Sequence, residues 1–259
     1  MKTLRTVVVG VASVFVATTA FATLSKDDVK RLNESAAVLS EIRSAPDSGI
    51  PERIWDNARC VVVIPSLKKA AFIIGGEFGS GVMSCKHGGR WSAPVFMEMA
   101  KGSAGFQIGA SSTDLVLVVM NQSGVDKLLR NKVTLGGDAS IAAGPVGRSA
   151  SAATDAQMST EMLAYSRSKG LFAGIDLSGG TLKPDESANV RAYGATVSAR
   201  DVALGTEKVT VPVEAQVFTN ALGRGVQGTS GVNQTPGTKK TTGSKSSTGS
   251  KNTGGTKKK

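Results

Sequence analysis

Glycines set inside apolar, alternating segments restrict this chain more than any other feature. The densest case runs from Ala164 to Gly180. Its polar half, Tyr165-Ser166-Arg167-Ser168-Lys169, ends at Gly170. From Leu171 the pattern alternates. Leu171, Ala173, Ile175 and Leu177 share one face of an extended strand, and Phe172 and Gly174 the other. A glycine within a strand marks a bulge or a close backbone approach, and Gly179-Gly180 is a turn signal. Lys69–Gly76 and Gly102–Gly109 repeat the arrangement, each joining a Phe and a β-branched residue to glycines. Val133–Gly137 is a shorter relative. The intervals are unequal, so there is no fixed-period repeat. The pattern predicts an α+β fold: a curved, glycine-rich antiparallel sheet or small barrel, bent at its glycines and packed by helices.

Both ends of the chain differ from its middle. Met1-Lys2-Thr3-Leu4-Arg5 is basic, Thr6 to Ala20 is apolar, and Ala20-Phe21-Ala22 fits a small-x-small cleavage site, so residues 1–22 read as a signal peptide. That predicts an exported protein, periplasmic or secreted, soluble or peripheral to a membrane. No later stretch is long and apolar enough to span a bilayer. Charge is unevenly placed, with 31 Lys and Arg against 20 Asp and Glu. Arg224, Lys239, Lys240, Lys245, Lys251, Lys257, Lys258 and Lys259 all follow Gly223, with no acid among them. The body is therefore close to neutral, and the high pI belongs to the tail. Residues 223–259 carry too little apolar surface to offset ordering entropy and are predicted to be disordered. Residues 23–222 form one domain by length.

Cys60 and Cys85 are the only cysteines. Export permits a disulfide between them, and two thiols packed as small hydrophobes are the alternative. Ser25 to Arg43 has helical spacing in Val29, Leu32, Ala36, Leu39 and Ile42, with Ser25 and Asp28 set for a capping box. Its outer face mixes Lys26, Lys30 and Arg31 with Asp27, Glu34 and Glu41, which suits a helix packed on its own domain better than a membrane-surface helix. Pro51 suits the first position of a short helix holding Ile54 and Trp55. Cys60–Ile64 reads as a strand covered on both faces and ended by Pro65. Glu77–Lys86 reads as the next strand after a turn near Phe78-Gly79, and Asp114–Met120 is the most apolar strand. Ser123 is placed to cap a helix through Leu128. Met158–Tyr165 fits helix or strand. Pro184-Asp185 opens a helix ended by Gly194, and Pro212–Leu222 is a last helix.

The residues needed for catalysis do not gather. His87 is the single histidine, set in a glycine-rich turn, and Cys85-Lys86-His87 supplies two soft ligands where zinc takes three or four. Gly75–Gly81 is glycine-rich without a following helix to bind phosphate. No spacing selects a pair among Glu77, Asp114, Asp138, Asp155 and Asp176. A non-enzyme without metal or cofactor is expected.

Several ordered motifs resemble the SYLF domain family. They are Cys60–Pro65, Lys69–Gly76, Gly105–Gly109, Val133–Ser140, Ala143–Arg148 and, above all, Tyr165-Ser-Arg-Ser-Lys-Gly-Leu-Phe-Ala-Gly174. The resemblance covers about Ser35 to Leu222. It implies a lipid-binding module, which in eukaryotic members takes phosphoinositides partly through an amphipathic N-terminal helix, with actin binding in fungal relatives. The export signal sets actin aside and disfavours phosphoinositides. The expected function is peripheral binding of anionic membrane lipid through Lys26, Lys30, Arg31, Lys68 and Lys69. The alternative is a scaffold protein of the envelope, tethered to an anionic polymer by the tail cations. Nucleic acid is not an expected partner.

Overall fold

A computed structural model describes residues 23–44, 49–71, 74–104, 109–146, 159–168 and 171–223, all within one compact unit. The signal-peptide reading, the tail, the polar run 149–154 and the Lys169-Gly170 step of the main motif lie outside the described residues. Ten described strands make up the sheet. They are β1 (Cys60–Ala71), β2 (Ile74–His87), β3 (Arg90–Trp91), β4 (Val95–Ala104), β5 (Gly109–Val119), β6 (Val133–Thr134), β7 (Ile141–Ala143), β8 (Met162–Ser168), β9 (Leu171–Gly174) and β10 (Thr181–Pro184). Their order is β6-β10-β4-β2-β1-β5-β8-β7, with β3 added to β2 and β9 to β8. Only β7 with β8 is parallel.

Chain connectivity forces this sheet to curl. The edge strands β6 and β7 are consecutive in sequence, joined by residues 135–140. Seven extended steps span about 25 Å at most. Eight strands laid flat would hold their edges about 34 Å apart. The sheet therefore bends into a half-barrel, and a bridge between Leu135 and Ala139 tightens the joining turn.

Each face of the curl has its own core. Val62, Ile64, Met83, Met97, Leu117 and Met162 point inward with Val133 and Leu135 from the far edge. Two helices, α3 (Gln122–Leu128) and α5 (Ala199–Leu204), close that core with Val125, Leu128 and Val202. The outer face carries Val61, Val63, Val82, Phe96, Val116 and Tyr165. It is covered by α1 (Lys26–Arg43), α2 (Glu52–Asn57), α4 (Glu186–Tyr193) and α6 (Gln216–Ala221). β1 alternates between the two cores, so Val61–Ile64 is wholly buried, as its unbroken apolar run requires.

α1 begins as its sequence predicts. The Ser25 hydroxyl accepts from the Asp28 N–H at 3.1 Å, and the Asp28 carboxylate accepts from the Ser25 N–H at 3.0 Å. α4 has Asp185 as its cap and ends at Gly194 with φ 90°, also as predicted. Met162–Ser168 resolves the ambiguous segment as strand.

Several boundaries differ from the sequence reading. Pro65 does not end β1, because the ladder is irregular on both sides there. Register shifts between Val63 and Lys68 against β2, and between Ile64 and Leu67 against β5. The missing proline N–H falls inside that bulge, so no ladder bond is lost. Phe78-Gly79 is not a turn. Phe78 pairs with Lys68 and Ala100, and Gly79 with Met99, in mid-sheet. A Cβ at Gly79 would stand 2.8 Å from Leu67, so the glycine permits a close approach rather than a turn. Pro51 sits one position earlier than expected, as the cap of α2. Asn121, not Ser123, caps α3, with its side chain accepting from the Gly124 N–H at 3.0 Å. The strand opened at Leu171 stops at Gly174. The last helix divides into a 3-10 turn, Val213–Ala215, and α6. α5, capped by Ser198, was not foreseen.

Gly174 meets its expected role. A Cβ there would lie 2.5 Å from the Gly144 carbonyl oxygen and 3.0 Å from Ala143. β9 crosses close to the end of β7 at this point, and no side chain fits.

Cys60 and Cys85 form a disulfide. They face each other across β1 and β2, next to the Lys86 N–H that donates to the Arg59 carbonyl at 2.6 Å. This is the non-hydrogen-bonded pair of the ladder, where facing side chains come closest. Of the two readings left open, the bridge is the one found.

Candidate functional site

The five body cations expected to touch lipid fall into two separate groups. Lys26, Lys30 and Arg31 ride on α1. Lys68 and Lys69 lie on β1 beyond its bulge.

The α1 group does not form a basic face. Lys26 is exposed, and Lys30 stands 3.8 Å from Glu34 one turn on, both largely in solvent. Arg31 is turned inward. Its Nη1 donates to Asp185 Oδ2 at 2.8 Å, its side chain is 14% exposed, and its guanidinium lies 5.7 Å from the Phe96 ring centre. Beside it, the fully buried Asp28 accepts two bonds from Arg191, from Nε at 2.8 Å and from Nη2 at 2.9 Å. Burial alone would raise the Asp28 pKa. The Arg191 and Ser25 hydrogen bonds outweigh burial and hold it at about 2. Asp185 is likewise held below the usual carboxylate range. Burial opposes ionisation there, and the bonds from Arg31 and the Ala188 N–H overcome it. Two ion pairs thus fasten the start of α1 across α4. A third contact, from Glu41 to Arg167 of β8, fastens its far half. α1 is a docked structural helix. The charge of Arg31 is paired with Asp185 under the helix.

The β1 group stands where the sheet outruns its helices. On the outer face, the aromatic side of the core ends at Val82 and Phe96. Farther along the same strands come Ser80, Glu98, Phe78 and Lys68. Phe78 is 64% exposed, in register beside the exposed Lys68. A shallow cavity of about 230 Å³ opens beside it, lined by Phe78, Ser80, Met99, Thr181 and Lys183. On the opposite face Glu77 lies in register between Lys69 and Lys101 and pairs with Lys69 at 3.4 Å. Lys183 pairs with Glu98 at 3.0 Å. Of the residues at this end of the sheet, the sequence reading names Lys68 and Lys69 but not Phe78 or Lys101. The available signal was Phe78 alternating with Glu77 between glycines, which it took for a turn.

His87 is exposed at the end of β2, before Gly88 and Gly89, both at positive φ. Among the described residues no three His, Cys, Asp or Glu side chains are placed to hold a metal ion. Among them, too, no helix is long and apolar enough to cross a membrane.

The fold and its surfaces define a half-barrel α+β domain. Residues 100–224 match the family described as Ysc84, Las17-binding protein actin regulator. The chain is 36% identical over 167 residues to protein YSC84 of Saccharomyces cerevisiae, covering 63% of this chain and 36% of that protein. It is 37% identical over 163 residues to LAS seventeen-binding protein 3 of the same yeast, covering 61% and 35%. It is 31% identical over 194 residues to SH3 domain-containing YSC84-like protein 1 of Bos taurus, covering 74% and 55%. The chain carries a domain of the Ysc84 family, the SYLF family of the motif resemblance. It spans between about a third and a little over half the length of these relatives.

Two expectations drawn from the first 22 residues are corrected by these matches. Actin was set aside as a partner, yet the family is described as an actin regulator and relatives are named for binding Las17. An exported, periplasmic or secreted location was expected. The relatives are eukaryotic proteins of a family tied to actin, which is a cytoplasmic polymer. The envelope-scaffold alternative falls with that location.

Proposed function

We propose that this chain is a non-catalytic adaptor domain that attaches peripherally to anionic membrane lipid through the exposed end of its sheet. In keeping with its family's description, it serves proteins that regulate actin. Phe78 carries the lipid reading. A large apolar side chain, mostly in solvent and beside Lys68, suits burial at a headgroup boundary while the lysine keeps its charge at the surface. Lys69 and Lys101, flanking Glu77 on the opposite face, add one net positive charge at the same end of the sheet. Near an anionic bilayer each lysine contributes on the order of 1 kcal/mol, attenuated within a Debye length. Lys26 and Lys30 add only long-range attraction, because acids share their helix face.

Co-sedimentation tests this with phosphatidylcholine vesicles, with and without phosphatidylserine. Phe78→Ser and Lys68→Glu weaken binding to the anionic vesicles, and Lys26→Glu with Lys30→Glu leaves most of it. The opposite pattern moves the contact surface to α1 and overturns the assignment.

A further inference from the structure

Both tryptophans of this chain stand on one cavity of about 330 Å³, at the foot of α1. Its walls include Arg43, Trp55, Asp56, Lys86, Trp91 and Gly223. Two cation–aromatic pairs form the floor. The Arg43 guanidinium lies 5.0 Å from the Trp55 ring centre, and Lys86 Nζ lies 5.0 Å from that of Trp91. The two cations do different work. Lys86 Nζ donates to the Trp55 carbonyl at 2.7 Å and to the Asp56 carbonyl at 3.2 Å, so it ties β2 to the end of α2. Arg43 is exposed, and among the described residues it has no hydrogen-bond or ion-pair partner.

The Trp55 ring lies to one side of the Arg43 guanidinium and leaves its N–H groups for a ligand. A fork of parallel donors matches a planar carboxylate. Gly223 keeps that edge clear. It has φ 89°, and a Cβ there would press against Arg43 Nη1. Charge selects among anions. Arg43 and Lys86 oppose the single carboxylate of Asp56, so the walls sum to one positive charge. A monoanion balances that charge, whereas a phosphate dianion would face Asp56 with charge in excess.

We propose that this cavity binds a small carboxylate, held in the plane of the Arg43 guanidinium. The site is on the body and independent of the lipid surface at Phe78.

The two tryptophans make the test direct. The full chain, labelled with nitrogen-15, gives one indole N–H resonance each from Trp55 and Trp91. Titration with N-acetylglycine at pH 7 shifts them saturably, and the neutral N-acetylglycinamide does not. Arg43→Gln abolishes the saturable shift. Arg43→Lys, which keeps the charge and loses the fork, weakens it strongly. Asp56→Asn, which leaves Arg43 intact, tightens binding severalfold and guards against an Arg43 variant that misfolds. Equal shifts from acid and amide, or binding retained in Arg43→Gln, overturn the site. Inorganic phosphate binding more tightly than N-acetylglycine overturns the assignment to a carboxylate.

Discussion

Asp114 Oδ1 accepts the Ser66 N–H at 2.9 Å, joining the bulge of β1 to β5 across 48 residues of sequence. Ser66 has φ 53° and is the only described non-glycine residue at positive φ. Such a conformation persists where the surroundings fix it. Here the fixing group is Asp114, whose Oδ2 also stands 3.0 Å from Arg167 Nε. Arg167 in turn reaches Glu41 of α1. The bulge, the central strands and the N-terminal helix share one polar network.

Removing Asp114 therefore uncouples more than one contact. Asp114→Ala is expected to lower stability by about 0.5–1.5 kcal/mol, through loss of the Ser66 hydrogen bond and of one of the two carboxylates that meet Arg167. Ser66→Gly in that background should recover part of the loss, because glycine holds positive φ without strain. Urea denaturation of the two variants measures both effects. No recovery by Ser66→Gly would show that the backbone conformation is not what Asp114 sustains.

Acid should destabilise the body in a defined window. Both Asp28 and Glu161 are held at about 2. At Glu161, burial opposes ionisation, and hydrogen bonds from Lys127 (Nζ at 2.6 Å), Ser123 and the Ser140 N–H outweigh it. Carboxyls depressed in the folded state stabilise it fully above their unfolded pKa of about 4 and lose that contribution as pH falls toward 2. On this basis the contribution at neutral pH is at most about 2 kcal/mol for Asp28 and about 3 kcal/mol for Glu161. Melting midpoints taken from pH 6 to pH 2 should drop below pH 4.5, and by less in Glu161→Gln. A flat profile through that range would remove both groups from the account.

Gly174 gives a steric test. Gly174→Val places atoms against the Gly144 carbonyl, which is backbone and cannot swing aside. A loss on the order of 1–3 kcal/mol is expected. An unchanged melting midpoint would argue against the close crossing of β9 and β7.

The disulfide closes a loop with a sequence separation of 25. Reduction of such a loop costs about 3 kcal/mol in chain entropy. Cys60→Ala with Cys85→Ala should lower the denaturation midpoint accordingly. Two free thiols in denatured, unreduced protein would show that the bridge is absent in solution.

Tail charge should appear as salt dependence. Deleting residues 224–259 removes all eight tail cations. Binding to phosphatidylserine vesicles should fall strongly at low salt and change little near ~0.5 M salt, where screening already suppresses them. Equal binding of both forms at low salt eliminates the tail as an anchor.

What the sequence determined by itself was local. Periodicity and cap chemistry placed α1 and α4, because a capping box or a glycine stop acts within a few residues. The unbroken Val61–Ile64 run announced a strand buried on both faces. The glycines announced curvature, since a residue without Cβ signals close approach wherever it occurs. Only the tertiary structure decided which approach each glycine serves, and whether a breaker breaks. Pro65 passes through β1 because Asp114, far away in sequence, takes the Ser66 N–H and stabilises the bulge. Arg31 reads as a surface cation until Asp185, 154 residues on, draws it under α1. Phe78 reads as a turn residue until its pairing with Lys68 and Ala100 leaves it exposed beyond the helices. Arg43, Trp55 and Trp91 share no sequence pattern. They meet because the end of α1, the short α2 and the β2–β3 turn converge on one rim, and no local signal records a contact made by folding.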